Sequence, residues 1–222
     1  MLSCGLFLAA HPGTVVLTAL AGIPADLPVN RWDEQCGFRP GDNVMGARRD
    51  EDRTALGLLG AVPRWLDFCQ RSHLAADNQV EQAALTDAIA AVIDKVTPTA
   101  VALPFGLGHP DHELTHRAGV ALVGARPDIA WYCYEDIPYR ILPGVLAARI
   151  GELLAAGIRA TPAPVPLDPT HERKTAAFLA YASQAAPLDH DWGINEMLAG
   201  ATGEGWWRLL PDDGVTYTVE PG

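Results

Sequence analysis

Basic residues are scarce in this 222-residue chain, which has 16 lysines and arginines against 27 aspartates and glutamates. The formal net charge of -11 argues against a nucleic-acid or anionic-membrane surface, because such a surface needs concentrated positive charge. Long apolar runs are also absent, and no stretch reaches the ~18 continuous apolar residues of a membrane span. We therefore expect a small molecule as partner, with no nucleic acid and no membrane.

Cysteine patterns and targeting signals are missing as well. No two cysteines stand in C-x-x-C spacing, which predicts free thiols rather than a zinc knuckle or a redox pair. The first ten residues, MLSCGLFLAA, lack both the basic region and a clear cleavage site of a secretory signal. We expect a cytoplasmic protein whose four cysteines, Cys4, Cys36, Cys69 and Cys133, stay unpaired.

Apolar segments of strand length alternate with segments of helical periodicity along the chain. The segment TVVLTALAG, for example, is rich in β-branched residues and ends at a glycine, as a buried strand does. The alternation predicts a three-layer, Rossmann-like α/β domain with a mostly parallel sheet, and the chain is long enough for one such domain. Strands are predicted at 14–22, 63–68, 99–104 and 129–135, with a proline-broken edge strand at 158–167, and helices at 43–61, 78–96, 112–125, 144–157 and 171–184.

The densest cluster of chemically useful side chains is PFGLGHPDHELTHRAG, residues 104–119. This segment follows the predicted strand 99–104 and begins the next helix. In parallel α/β sheets, ligands bind beyond the carboxyl ends of the strands, where loops lead into helices. The segment is therefore a candidate site by its place in the topology alone.

His109 and His112 stand three residues apart at the predicted helix start, so both side chains can face one pocket. The partial positive charge of a helix N-terminus favours neutral imidazole, which is the form that ligates metal. Asp111 could accept a proton from a ring nitrogen and so fix its tautomer. The same residues are explained equally well by an ordinary capped helix start, in which the negative charge of Asp111 interacts favourably with the helix dipole.

A second metal-binding pattern overlaps this segment. His112, Glu113 and His116 spell H-E-x-x-H, in which two histidines one turn apart bind zinc and the glutamate acts as general base in metalloproteases. Here the motif begins a helix that follows a strand of a parallel α/β chain, which disfavours that interpretation. A hydrolase built on these three residues remains the less favoured alternative.

Several further motifs occur in a telling order. GLGHPDH follows a predicted strand, ARRDEDRTALGLLGA (47–61) precedes that strand, and YEDIPY (134–139) follows the next one. Together with ALAGIP (19–24) and KTAAFLAYASQ (174–184), this order resembles the LmbE/PIG-L family of zinc-dependent N-deacetylases over nearly the whole chain. The resemblance implies a single α/β domain of that family and removal of the acetyl group from an N-acetylated amino sugar or its conjugate.

The resemblance also implies roles for individual residues. His112 corresponds to a ligand of Zn2+, and His109 to the residue that stabilises the oxyanion or protonates the leaving amine, with Asp111 orienting it. Arg48, in an R-x-x-E pattern with Glu51, resembles a substrate-contacting arginine, although a solvated helix charge would look the same. The YEDIPY stretch resembles part of the pocket wall, and it reads equally well as plain strand and turn.

One motif of the family is missing. The other two zinc ligands and the general base come from an H-x-D-D motif after the first strand, and no H-x-D-D occurs in the 222 residues. AAHPGTV (9–15) is a poor copy, because Gly13 and Thr14 stand where the aspartates belong. A better match makes LSCGLFLAAH the first helix and His11 part of its exit turn. We therefore expect the sequence to be N-terminally truncated relative to the family, beginning shortly after the motif.

Two function classes follow from this departure. The first is a zinc N-deacetylase whose ligand set is incomplete in these residues, and the second is a non-catalytic, metal-less small-molecule binding protein of the same fold. Absence of the central first strand would leave backbone groups unpaired, each costing on the order of 1–3 kcal/mol if buried. Open strand edges pair with strands of other chains. We therefore expect a homo-oligomer.

Overall fold

The computed structural model describes residues 2–74, 80–199 and 203–211. Over these residues strands and helices alternate for most of the chain. The strands are β1 Val15–Thr18, β2 Val62–Trp65, β3 Ala100–Pro104, β4 Ala130–Tyr134, β5 Ile158–Pro162 and β6 Trp206–Pro211. The helices are α1 Gly5–Ala10, α2 Arg31–Gln35, α3 Val44–Leu58, α4 Gln82–Val96, α5 Pro110–Val120, α6 Val145–Ala155, α7 Glu172–Leu179, α8 Ala182–Trp192 and α9 Ile194–Ala199.

The strands form two sheets within the described residues. β1 and β2 pair in parallel, and β3, β4, β6 and β5 form a four-stranded sheet in that order. β3 pairs in parallel with β4, whereas β6 runs antiparallel to both β4 and β5. The predicted α/β class with its parallel strand pairs is confirmed, and the proline-broken segment forms an edge strand. Strand β6 was not predicted from the sequence, and it adds an antiparallel strand to the sheet between β4 and β5.

Most predicted helices form, with shifted ends. Helix α4 begins at Gln82 rather than at residue 78, and the predicted positions 78 and 79 lie outside the described residues. The helix predicted over 171–184 is divided at Ala180 and Tyr181 into α7 and α8. No helix among the described residues is long and apolar enough to cross a membrane.

The main core lies between the strands and the helices α4 and α5. Leu85, Ile89 and Ile93 lie one turn apart on α4 and are all buried against this core. On α5, Gly119 lies directly over the Leu103 side chain of β3, so an added β-carbon would collide with it. Burial of such side chains contributes about 1.5–3 kcal/mol each. The core thereby holds the amino end of α5 above the carboxyl end of β3.

Helix α1 forms where the LSCGLFLAAH register predicts it, and His11 lies at its exit. The buried Glu204 carboxylate accepts hydrogen bonds from the backbone N–H groups of Leu6 and Phe7, at 2.7 and 3.0 Å. The same carboxylate accepts a 2.9 Å hydrogen bond from the buried Lys174 ammonium. This buried pair ties α1 and α7 to the segment that leads into β6.

β1 and β3 each have one edge without a strand partner among the described residues. β1 pairs only with β2, and β3 pairs only with β4. On β3, Ala100 and Ala102 are exposed, whereas Leu103 is buried in the core to which Leu17 of β1 also contributes. Two sheets that share one core therefore present unpaired edges. The expected lack of a first strand stays a prediction.

Candidate active site

The loop between β3 and α5 places the predicted site residues. Gly106 and Gly108 have φ values of 74° and 65°, a left-handed conformation that glycine adopts without strain. Both also lie close to neighbouring groups: a β-carbon on Gly106 would lie 2.8 Å from the His116 β-carbon, and one on Gly108 would lie 2.6 Å from the Tyr139 ring. His109 then caps α5, and Pro110 takes the first helical position. The two glycines let the loop turn tightly enough to bring His109 and His112 to one face.

His112 is held by a carboxylate that sequence reasoning did not assign. Its Nδ1 donates a 2.9 Å hydrogen bond to Asp136, whose side chain is only 1% exposed. The second Asp136 oxygen accepts the backbone N–H of Leu107 at 3.0 Å. Asp136 is the second residue after β4, and because β4 is the parallel neighbour of β3, both strands end at the same side of the sheet. The acidic pair Glu135–Asp136 after the neighbouring strand is the signal that could have pointed to it.

His109 is held by the backbone of Asp111 rather than by its side chain. The Nδ1 atom of His109 accepts the Asp111 backbone N–H at 3.2 Å. The Asp111 carboxylate instead accepts the backbone N–H of Arg71 at 3.3 Å. Partial burial of the ring, followed by the neighbouring His112, lowers the pKa of His109 below its ordinary value. His109 is therefore neutral at physiological pH, and the predicted orienting role of the Asp111 carboxylate stays a prediction.

The two histidine rings lie beside an aromatic wall. The ring centroids of His109 and His112 are 5.2 Å apart, and those of His112 and Tyr139 are 5.6 Å apart. Trp192 extends the wall with its centroid 5.3 Å from that of Tyr139. Burial, together with the nearby Asp136 and Asp111 carboxylates, raises the pKa of Tyr139, so the phenol keeps its proton. Aromatic faces of this kind offer an apolar surface to a sugar ring with a polar tip beside it.

His116 takes no part in this cluster. It is only 3% exposed, and its Nδ1 donates a 2.8 Å hydrogen bond to the Pro104 carbonyl. The Glu113 carboxylate accepts from Arg117 at 2.6 Å and lies 3.8 Å from Arg149. The glutamate is thus engaged with arginines, and the second histidine is buried. This geometry does not favour the H-E-x-x-H alternative.

Arg48 is buried on α3 rather than solvated. Its guanidinium lies 2.7 Å from the fully buried Asp33 carboxylate, which also accepts a 2.9 Å hydrogen bond from His73 Nε2. The Arg48 Nε has no hydrogen-bond partner among the described residues. The same turn that carries His73 carries Arg71, whose backbone contacts Asp111. Arg48, Asp33 and His73 therefore lie next to the histidine site. The role of Arg48 in substrate binding stays a prediction.

The donor set fits one position of a zinc site. A catalytic zinc takes three protein ligands and keeps one open position. The Nδ1–H group of His112 donates a hydrogen bond to Asp136, so Nε2 is available, and the side chain is 40% exposed. The described residues contain no group of three or more histidines, cysteines or acids that could hold a metal ion. They fit a single ligand and not a complete site.

The α/β fold of this chain is similar to that of solved LmbE-like deacetylases. A triple mutant of a deacetylase in the teicoplanin biosynthetic pathway is 25% identical to this chain, with a TM-score of 0.76 over 96% of this chain and 94% of that one. The A40926 pseudoaglycone deacetylase Dbv21 is 24% identical, with a TM-score of 0.69 over 96% and 93% of the two chains. N,N'-diacetylchitobiose deacetylase from Pyrococcus horikoshii is 16% identical, with a TM-score of 0.56 over 95% and 79%. No protein-family model and no curated protein matches the sequence.

Acidification is expected to destabilise the protein through His116. Burial lowers the pKa of His116 below its ordinary value of 6.5. Near and below that pH, His116 therefore binds a proton more readily in the unfolded chain than in the folded chain. The free energy of unfolding therefore falls as the pH falls through 6.5 towards the folded pKa, and this contribution of His116 fades within about one pH unit above 6.5.

A His116→Asn variant is the matched comparison, because its amide can donate to the Pro104 carbonyl and does not titrate. We expect denaturant unfolding to show a smaller loss for this variant than for the parent between about pH 7.5 and 5.5. Equal losses would contradict the assignment of this acid sensitivity to His116.

Proposed function

We propose that this chain hydrolyses the N-acetyl group of an amino sugar or sugar conjugate, with zinc as cofactor. The observation that carries the proposal is the pair of His109 and His112 at the carboxyl end of β3, in a fold shared with sugar deacetylases. The reaction adds water across the acetamide C–N bond and releases acetate and a free amine. The wall of Tyr139 and Trp192 beside the histidines suits a sugar ring.

His112 is the proposed metal ligand, through Nε2. Its other nitrogen is occupied by Asp136, an arrangement that holds a ligand ring in place and raises its basicity. Zinc, when bound, supplies a Lewis acid for the acetamide carbonyl and lowers the pKa of bound water. In the family that the sequence resembles, the remaining ligands and the general base come from an H-x-D-D segment, which these 222 residues do not contain.

His109 is proposed to donate a hydrogen bond to the oxyanion. Its lowered pKa keeps the ring neutral, and its Nδ1 already accepts a backbone N–H, so the ring proton lies on Nε2. A neutral donor suits oxyanion stabilisation better than proton delivery to the leaving amine. Arg48 is proposed to contribute to substrate binding, and the support is its buried Nε, which has no hydrogen-bond partner among the described residues.

A second candidate is a metal-less binding protein that recognises the same sugars without turnover. The observation that favours it is the incomplete metal-ligand group among the described residues. Binding of an N-acetylated sugar without release of acetate is the behaviour that separates it from the enzyme.

The test measures zinc content and acetate release together. The 222-residue chain should bind zinc weakly or not at all, because one ligand does not hold the ion. An extended polypeptide that carries an H-x-D-D segment ahead of these 222 residues should bind one zinc per chain and release acetate from N,N'-diacetylchitobiose, followed by proton NMR.

The controls are the parent chain and the extended polypeptide carrying His112→Ala. Sugar binding without acetate from the extended polypeptide would favour the binding protein. Stoichiometric zinc in the 222-residue chain, held by His112 with His109 or His116, would contradict the proposed ligand set.

A further inference from the structure

Two neighbouring histidines of the site have different kinds of partner at Nδ1. His112 Nδ1 faces the Asp136 carboxylate at 2.9 Å, and a carboxylate can only accept. His109 Nδ1 faces the Asp111 backbone N–H at 3.2 Å, and an amide N–H can only donate. A neutral imidazole carries its single proton on one nitrogen, so each partner decides where that proton lies.

The environment of the Asp136 carboxylate favours a proton on His112 Nδ1. It is 1% exposed, and the described residues give it no lysine or arginine partner. A buried carboxylate needs hydrogen-bond donors, because an unsatisfied buried charge is costly. Leu107 N–H serves one oxygen and His112 Nδ1 serves the other. Rotation of the His112 ring would remove one of these two donors, and the ring orientation is fixed accordingly.

We infer that the two histidines are held in opposite tautomers, with Asp136 as the positioning residue that makes His112 a lone-pair donor at Nε2. The Asp111 backbone makes His109 a proton donor at Nε2. One ring thus offers a ligand nitrogen to a metal or a proton acceptor to water, and its neighbour 5.2 Å away offers a hydrogen bond to an anionic oxygen. The roles of His112 as metal ligand and of His109 as hydrogen-bond donor rest on the proposed deacetylase activity. The tautomers of the two rings do not depend on it.

The tautomers can be measured directly on the 222-residue chain. Long-range proton–nitrogen NMR of protein labelled with 15N-histidine distinguishes protonated from bare ring nitrogens, and the variants His109→Asn and His112→Asn assign the two signals. At neutral pH we expect a protonated Nδ1 in His112 and a protonated Nε2 in His109. The same tautomer in both rings, or a bare Nδ1 in His112, would overturn the inference.

Asp136→Asn tests the positioning role with little change in shape. The amide oxygen of the new side chain would accept Leu107 N–H, and its NH2 group would then donate to His112 Nδ1. We expect the His112 tautomer to invert to Nε2–H and the His109 signal to stay unchanged. An unchanged His112 tautomer in a folded variant would show that Asp136 does not set it.

Asp111→Asn is the matched control, because it alters the carboxylate and keeps the backbone N–H. We expect the His109 tautomer to be unchanged, and its inversion would contradict backbone control of that ring. The outcome also separates this inference from the proposed function. Opposite tautomers without acetate release from the extended polypeptide would refute only the activity, whereas acetate release with identical tautomers would refute only the inference.

Discussion

Replacing His112 by alanine should abolish zinc binding and acetate release together, whereas replacing His109 should keep the metal and slow turnover. The reason is the different chemistry of the two rings. Asp136 leaves His112 Nε2 free to ligate, and the Asp111 backbone leaves His109 able only to donate. Loss of one oxyanion donor lowers turnover by roughly 10²–10³-fold. The measurements are metal content and acetate release by the upstream-extended polypeptide and its variants.

His116→Asn is the control for this comparison, because it changes a third histidine of the same helix. Its ring is buried and bonded to the Pro104 carbonyl, away from the aromatic wall, so activity should change little. If His116→Asn proves as damaging as His112→Ala while His109→Ala is tolerated, the assigned roles are wrong. The H-E-x-x-H interpretation would then replace them.

The 222-residue chain should associate through the edges of β1 and β3, which have no strand partner among the described residues. Hydrogen bonds from Ala130 N–H to Thr99 and from Phe105 N–H to the Tyr134 carbonyl fix the β3–β4 ladder. Residues on a parallel strand alternate in the direction of their hydrogen bonds, so the backbone groups of Ala100 and Ala102 face away from β4. Unpaired edges of this kind recruit strands from other chains. We expect concentration-dependent oligomers in light scattering coupled to size-exclusion chromatography.

A lysine at the open edge should suppress this association. Ala102 is exposed on β3, so Ala102→Lys can be accommodated, and charged edge residues oppose strand addition. Ala83→Lys adds the same charge on the exposed face of α4 and is the matched control. A monodisperse monomer at all concentrations would contradict the prediction, as would equal effects of the two variants.

Helix and strand order could be predicted from the sequence because both report local physics. The spacing of Leu85, Ile89 and Ile93 marks a buried helix face whatever it packs against. Gly108, Pro110 and the two histidines likewise identify a loop and a helix start at the end of a strand. The predicted first helix is another example, since LSCGLFLAAH folds as α1.

The partners of the site residues could not be read in the same way. Asp136 lies beside His112 only because β4 pairs in parallel with β3, and Arg48 is buried only because α2 brings Asp33 against it. β6 enters the sheet from the far end of the chain, between β4 and β5.

The sequence alone thus determined the α/β class, the candidate loop and the two histidines within it. The tertiary structure decided which nitrogen of each histidine is free, which arginine is buried and which strand edges stay open. The physical reason is that periodicity and turn chemistry act over a few residues. A hydrogen-bond partner contributed by a distant segment exists only after strands pair and helices pack.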